Sequence, residues 1–598
     1  MCGIAGIVDY ARPSASHRSR ALAMRSRLRH RGPDGEGDHV GPDVTLVHTR
    51  LAVLDVAGGA QPMSNGRYVI VYNGELANAA ELRAELADYP FRTRSDTEVV
   101  LAAFTRWGDA CASRLSGMFA FFVWDVERRR GFAARDRLGV KPFFHARERS
   151  AGGDVFVFAS EAQAIAHTTG AVVRANTSAI VDVMVAPCFS GVDQTMFAGV
   201  EPLLPGHALV VDRDGVHVSR WWRWPTDRAR ALLTEPSVAV ARLAAEVPAA
   251  VSRALASDVA VGVFASGGLD STILSAVLAR ETPGARAYTV TFDDQARFDY
   301  AASAIIGSDD TPFAHLAARE LGLEERRVHV ARAEIARDLE RVAIANDALP
   351  AWEQEIAQHR LADAARRDGT KVVLVGDAAD ETHYGYHFLL DPGALAGPHV
   401  IMQRLGSVPI RRELSERPRE EAVRRLVRHV EEAGASFDSA RDLGDRIVAM
   451  TLLVVERWLP RLLHNGDAHT MRASVEARVP FADVRLVELA ASIAPEIAHR
   501  EGVEKWALRE SARGLIPERI RARKKSALPK DLAVERVYRA ELARVLEDPP
   551  PLVRAVVDLE AMRAMTKETR ALSEAERAAA FRVVTLAHWA RHHGVEIS

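Results

Sequence analysis

Up to about residue 215, apolar residues gather in short, partly alternating runs at 45–48, 68–72, 119–124, 155–159 and 208–211. Turn signals such as Gly58-Gly59 and Asn65-Gly66 separate them. Runs of that length and period predict strands. Residues 79–87 and 97–107 repeat with helical spacing, and Ser95 or Thr97 is placed to cap the second helix. Many strands with few helices predict antiparallel sheets packed as a sandwich under helical outer layers. Beyond about residue 236 the pattern turns helical and rich in Ala, Arg and Leu; Val423, Leu426, Val427 and Val430 form an i, i+3, i+4, i+7 packing stripe. Apolar runs at 259–265, 286–292, 326–331 and 372–375 alternate there with helical stretches, which predicts a doubly wound parallel sheet. The expected division is a first domain over 1–215, a linker over 216–236 and a second domain over 237–598. Trp221, Trp222 and Trp224 close the first half and are expected to pack between the two.

Composition narrows the function classes. Lys plus Arg is 78 and Asp plus Glu is 80, so a net charge of −2 gives no electrostatic case for nucleic acid or an anionic membrane. Three cysteines, Cys2, Cys111 and Cys188, cannot make a disulfide framework in a chain of 598 residues, which points to a reducing compartment. Cys111 reads as a core thiol. No apolar run approaches the ~18 residues a membrane helix needs, and no signal peptide opens the chain. A cytoplasmic location is therefore expected.

The chemistry begins at Cys2, directly behind Met1. With Met1 removed, one residue carries both a thiol nucleophile and an α-amine able to act as its base; the amine titrates at roughly 7.7–8.0. Gly3 is read as leaving room for substrate. Four further segments follow in order: Arg29-His30-Arg31-Gly32-Pro33-Asp34-Gly35, His48-Thr49-Arg50-Leu51, Tyr72-Asn73-Gly74-Glu75 and Ser95-Asp96-Thr97-Glu98. Together with Cys2 they resemble the glutaminase domain of class II glutamine amidotransferases, whose fold is the N-terminal-nucleophile αββα sandwich. The resemblance implies Cys2 as nucleophile and Asn73 (side chain) and Gly74 (backbone N–H) as oxyanion donors. It also implies a glutamine pocket formed by Arg50, Asn73, Glu75 and Asp96. Arg50 suits the α-carboxylate as a bidentate fork and Asp96 suits the α-ammonium.

A second site follows the apolar run at 259–265. Ser266-Gly267-Gly268-Leu269-Asp270-Ser271-Thr272 joins a strand to an apolar helix, a geometry that offers backbone N–H groups and a helix dipole to an anion. It lacks the Walker pattern and resembles the pyrophosphate loop of the ATP-pyrophosphatase family. The resemblance implies ATP binding by Ser266, Gly267, Gly268, Asp270, Ser271, Thr272 and Gly376. The run at 372–375 leads into Gly376-Asp377-Ala378-Ala379-Asp380-Glu381. Asp270 and Asp380 can then converge on Mg²⁺, a hard ion that takes oxygen ligands and substrate phosphates.

Both halves joined in one chain resemble glutamine-hydrolysing asparagine synthetases. Ser474-Val475-Glu476-Ala477-Arg478-Val479-Pro480-Phe481 and Glu504-Lys505-Trp506-Ala507-Leu508-Arg509 agree with that pattern. The family places a phosphoryl-stabilising lysine near Lys524-Lys525, and Lys525 is favoured. The family often forms dimers, so a homodimer is one assembly the resemblance implies.

Some positions depart from the pattern. Asp377 stands where a glutamate of the acceptor pocket is expected, with Glu381 also assigned there. Asn465-Gly466-Asp467-Ala468-His469-Thr470-Met471 stands where Lys-Val-Asp-Arg-Ala-Ser-Met is usual. Residues 294–310 look like an insertion. His383 and His469 are candidate acceptor contacts or ordinary core histidines. The departures point to an amide-forming enzyme whose carboxylate acceptor need not be aspartate. Plain asparagine synthesis, or a sensor with a silent synthetase half, are the alternatives.

Overall fold

The computed structural model describes residues 2–150, 153–225, 232–295, 309–350, 353–389, 391, 393–414, 417–437, 443–498, 500–526, 534–567 and 570–597. The first half is two six-stranded sheets in which every pairing is antiparallel. In one sheet Cys2–Val8 lies between Gly153–Ala159 and Val44–Arg50; in the other Gly117–Asp125 lies between Arg130–Arg135 and Tyr68–Leu76. Alternation along each strand decides which face goes inward. Ile4, Val8, Val44 and Leu46 meet Val69, Val71, Phe122 and Trp124 between the sheets, where burying each large apolar side chain contributes roughly 1.5–3 kcal/mol. The opposite residues face helices. Ala5 and Ile7 pack against Ala21 and Met24 of the helix Arg18–Arg27, and Ile70, Phe121 and Val123 against Val99, Val100 and Ala103 of the helix Asp96–Trp107. The result is the expected αββα sandwich. Ser95 caps the second helix, its side chain accepting from the Thr97 backbone N–H.

Asn73 and Gly74 sit inside the strand Tyr68–Leu76, opposite Ala120 and Phe119. Gly3 is closely packed against the protein itself. A Cβ there would come within 2.5 Å of Thr49 Oγ1 and 2.8 Å of Leu28 Cβ, so close packing of protein against protein requires the glycine. The strand Gly215–Arg220 pairs with His207–Asp212 and forms the edge of the second sheet.

The second half holds a five-stranded sheet, parallel throughout, in the order Glu324–Val330, Arg286–Phe292, Val261–Phe264, Val372–Leu374, Glu476–Arg478. Counted along the chain this is 3-2-1-4-5, and the order reverses between Val261–Phe264 and Val372–Leu374. The loops leaving the carboxyl ends of those two strands therefore open at the switch point, where such sheets bind ligands. Val372, Val373 and Leu374 are all buried, as a strand covered on both faces requires. The helix Leu269–Glu281 starts at the glycine loop and is the apolar helix expected there.

Trp224 is buried in a cluster that joins Leu51, Val53 and Met118 of the first half to Val247 and Val251 of the second, the expected interdomain role. Trp221 instead stacks on Phe119 of the sandwich, centroids 6.3 Å apart. Cys111 is fully buried. Most of the insertion-like stretch, residues 296–308, lies outside the described residues. No helix among the described residues is long and apolar enough to cross a membrane.

Candidate active sites

The antiparallel register sets Cys2 opposite Arg50. The Cys2 backbone nitrogen donates to Asn73 Oδ1 over 2.9 Å, and Asn73 Nδ2 is left buried with no hydrogen-bond partner. A buried donor without a partner costs free energy, so this amide is poised for an acceptor supplied by a ligand. Burial raises the Cys2 thiol, while the Leu51 backbone N–H and the Arg50 guanidinium favour the thiolate. Arg50 donates to the carbonyls of Asp55 at 2.6 Å and Val56 at 2.7 Å, which ties the loop after Leu51 to its guanidinium. Asp96 accepts from Tyr72 Oη at 2.9 Å and from the Leu76 N–H at 3.2 Å. Its carboxyl is raised by burial. Glu75, also raised by burial, pairs with Arg478 of the second half at 3.2 Å. The expected glutamine-pocket and oxyanion residues thus come from three elements: Arg50 from the strand paired with Cys2–Val8, Asn73, Gly74 and Glu75 from the strand Tyr68–Leu76 of the other sheet, and Asp96 from the start of the helix Asp96–Trp107.

At the switch point, Gly376 packs against Asp270: a Cβ on the glycine would lie 3.2 Å from Asp270 Cβ. Gly267 has φ of +72°, and a Cβ there would come within 2.3 Å of the Ala314 nitrogen, so only glycine suits the turn. Ser266 Oγ accepts from the Gly268 N–H at 3.3 Å and lies 3.1 Å from Ser271 Oγ. Thr272, expected as a further donor, turns its hydroxyl back to the Gly268 carbonyl at 2.7 Å. Arg523 donates to the Gly267 carbonyl at 3.3 Å and pairs with Asp310.

The expected pair of acids converges, and a residue given no role from sequence stands between them. Lys505 Nζ lies 2.5 Å from Asp270 Oδ2 and 2.6 Å from Asp380 Oδ1, and only 3% of Lys505 is exposed. Gly385 makes this possible, since a Cβ there would fall 2.2 Å from Lys505 Cε. Lys525 Nζ pairs with the other oxygen of Asp380 and sits 4.5 Å from the Tyr386 ring centroid. Against its burial, the ammonium groups of Lys505 and Lys525 hold the Asp380 carboxyl below the usual range. Asp377 is pushed up to about 6 by burial and by Asp380 and Asp270. Glu381, which accepts from Tyr386 Oη, is pushed up to about 7 by burial and by Asp380. Asp270 Oδ1 is buried without a hydrogen-bond partner, so a hard oxygen donor remains for a cation.

The departures find partners of their own. Asn465 Nδ2 donates to Glu355 Oε1 at 2.9 Å, and His469 Nε2 contacts Glu355 Oε2 at 2.7 Å. Both side chains are buried in the helix Leu459–Arg472, on successive turns. Both meet one carboxylate, so His469 is a core partner of Glu355. His383 packs edge-on to Phe481 at 6.1 Å, and burial pulls it down to about 3. The same helix touches both sites. Asp467 accepts from Arg31 Nη2 at 2.7 Å, Arg31 donates to the Cys2 carbonyl at 3.2 Å, and Gly466 abuts Asp377.

The comparisons divide the chain in the same way. A family model described as "Glutamine amidotransferase domain" matches residues 1–222, and one described as "Asparagine synthase" matches residues 242–591. Asparagine synthetase [glutamine-hydrolyzing] 3 of Bacillus subtilis (strain 168) is 31% identical, over 89% of this chain and 87% of that protein. Asparagine synthetase [glutamine-hydrolyzing] 1 of the same organism is 27% identical, over 88% and 87%. A solved structure described as the allosteric regulatory enzyme of purine biosynthesis aligns at 18% identity with a TM-score of 0.29, over 55% of this chain and 80% of that one.

Proposed function

The chain belongs to the asparagine synthase family, with a glutamine amidotransferase domain ahead of the synthase domain, and from that premise we propose that it makes asparagine from aspartate, ATP and glutamine. It is a carbon–nitrogen ligase with glutamine as amido donor. The observation that carries the reading is Lys505 clasped between Asp270 and Asp380 at the switch point of the parallel sheet, in one chain with the Cys2–Asn73 pair.

In the glutaminase half, the α-amine of Cys2, freed by loss of Met1, takes the thiol proton as the sulfur attacks the glutamine carboxamide carbon. Asn73 Nδ2 and the Gly74 N–H receive the oxyanion. Arg50 and Asp96 hold the α-carboxylate and α-ammonium, with Glu75 beside them. Ammonia leaves, and water hydrolyses the glutamyl thioester. In the synthetase half, a side-chain carboxylate oxygen of aspartate attacks the α-phosphorus of ATP and pyrophosphate departs. Lys505 and Lys525 neutralise the charge that builds on the phosphates, which rest on Ser266, Gly267, Gly268 and Ser271. Asp377 and Glu381 face the acceptor. Asp270 and Asp380 have the hard oxygens that Mg²⁺ prefers, and the ion would shield the pyrophosphate charge. Ammonia then attacks the acyl carbon and AMP leaves. Ammonia in bulk water would be protonated, so the route runs along the buried interface where the helix Leu459–Arg472 lies between the two sites.

The aspartate reading gains from Asn465 and His469, whose departures are taken up by Glu355. A second reading, another small acid as acceptor, rests on Asp377, one methylene shorter than the expected glutamate. Pyrophosphate release with aspartate and a panel of small carboxylic acids separates them. Asparagine with stoichiometric pyrophosphate supports the first; turnover with a different acid alone supports the second.

A further inference from the structure

Arg478 belongs to the synthetase sheet, yet its side chain ends in the glutamine pocket. Its backbone carbonyl accepts from the Val375 N–H at 2.9 Å, the bond that fixes the chain just before Gly376. Its guanidinium lies 3.2 Å from Glu75 and 2.6 Å from Glu476. It also donates to the carbonyls of Ala254 and Ala256 at 2.8 and 2.6 Å. Two residues on, Asp258 accepts from the N–H of Asp55 at 2.8 Å, and Arg50 donates to the carbonyl of that same Asp55. Arg478 is 1% exposed, so a guanidinium is buried here with its charge answered mainly by two carboxylates, one from each half. A bare charge at such a depth is costly, and removing one partner leaves the others uncompensated.

We propose that Arg478 is a positioning residue coupling the two active sites: its guanidinium holds the Glu75 side chain in place for glutamine, while its main chain anchors the strand end that leads into the loop at 376–381. The reading rests on the synthetase reaction given above. The charged and titratable groups facing Glu75 are Arg478, Asp96, Glu476, Tyr72 and the N-terminal amine; burial leaves the Glu75 carboxyl raised, and Arg478 is the strongest of the charges that oppose that push. Glutamine bound against Glu75 and nucleotide bound against Gly376 would then pull on one rigid element from opposite ends. Coupling of this kind is reciprocal: whatever ATP and acceptor do to glutamine affinity, glutamine does to theirs.

The test uses full-length protein lacking Met1, as wild type, Arg478→Met and Arg478→Lys. Glutaminase KM for glutamine is measured with and without ATP plus aspartate, and pyrophosphate release is measured with ammonium chloride as the nitrogen source. In wild type, ATP and aspartate lower the glutamine KM by a factor in the range of about 5–150. Arg478→Met raises the glutamine KM and abolishes that response while ammonia-dependent pyrophosphate release persists. Arg478→Lys, which keeps the charge, recovers part of the affinity. An unchanged glutamine KM and response in Arg478→Met overturns the proposal. So does loss of the ammonia-dependent reaction in the same proportion as the glutaminase, which marks a merely structural residue. If wild type releases no pyrophosphate with ammonia and aspartate, the aspartate reading falls, and the glutamine KM of the two variants still decides the role of Arg478.

Discussion

The Cys2 backbone nitrogen donates to Asn73 Oδ1, and this one bond of 2.9 Å orients the amide so that its Nδ2 is left buried and without a partner. The proposed nucleophile and the proposed oxyanion donor are thus oriented by each other. Asn73→Ala should lower glutaminase kcat by about 10²–10³, with ammonia-dependent synthesis intact. Steady-state assays with glutamine and with ammonium chloride check this.

Cys2→Ala should abolish glutamine-dependent synthesis and leave the ammonia-dependent reaction. The same pattern is expected of protein that retains Met1, since its amine is then an amide and cannot serve as base. Mass spectrometry of the N-terminus beside the two assays separates the cases.

Lys505→Met should remove pyrophosphate release with either nitrogen source and spare the glutaminase. Lys505→Arg should not rescue it. The stem passes where a Gly385 Cβ would lie 2.2 Å from Lys505 Cε, and a planar fork cannot replace a compact ammonium between two carboxylates.

How much of this could be read from the chain depends on the distance over which each relation acts. Strands with alternating or continuous apolar runs were legible, because their burial pattern is local: residues 286–292 appear as Arg286–Phe292. Cys2, Arg50, Asn73, Glu75 and Asp96 were legible through family pattern, and the structure brings them together. Lys505 lies within a segment that matches the family pattern, and the pattern alone assigns it no role. Its place depends on a left-handed backbone at φ of +55° and on a glycine 120 residues earlier. Asn73-Gly74 looks locally like a turn, and only pairing across to Gly117–Asp125 makes it strand. The contact of Arg478 with Glu75 joins opposite halves of the fold, and nothing in either segment signals it. Glu355 lies in an ordinary amphipathic helix; a signal available in the sequence was the histidine one turn after the missing lysine.

His469→Ala removes one hydrogen-bonding partner from buried Glu355, leaving Asn465 in place, and should destabilise by about 1–3 kcal/mol. Adding Glu355→Gln should recover part of that loss, because the buried charge goes with its partner. Denaturant unfolding of the two single variants and the double variant measures the coupling.

Asp347 is raised to about 7, by burial first and then by Glu161, against the Gln163 and Ala162 N–H groups that favour its ionised form. A carboxyl whose folded value lies above its unfolded one adds stability that is complete below the unfolded value and lost as pH rises through the folded value. Between roughly pH 4 and 7 this group should weaken the fold by at most about 1.4 kcal/mol per pH unit. Asp347→Asn should flatten that part of the unfolding-against-pH curve.

The central claim is that the synthetase half joins a carboxylate to AMP before ammonia arrives. Aspartate labelled with ¹⁸O in its side-chain carboxylate, turned over with ATP, Mg²⁺ and glutamine, tests it most directly. Attack on the α-phosphorus leaves one labelled oxygen on AMP when the amide forms, and mass spectrometry of the AMP should find it there, with asparagine as the other product. Label in pyrophosphate or inorganic phosphate, or unlabelled AMP beside newly formed asparagine, would contradict the account.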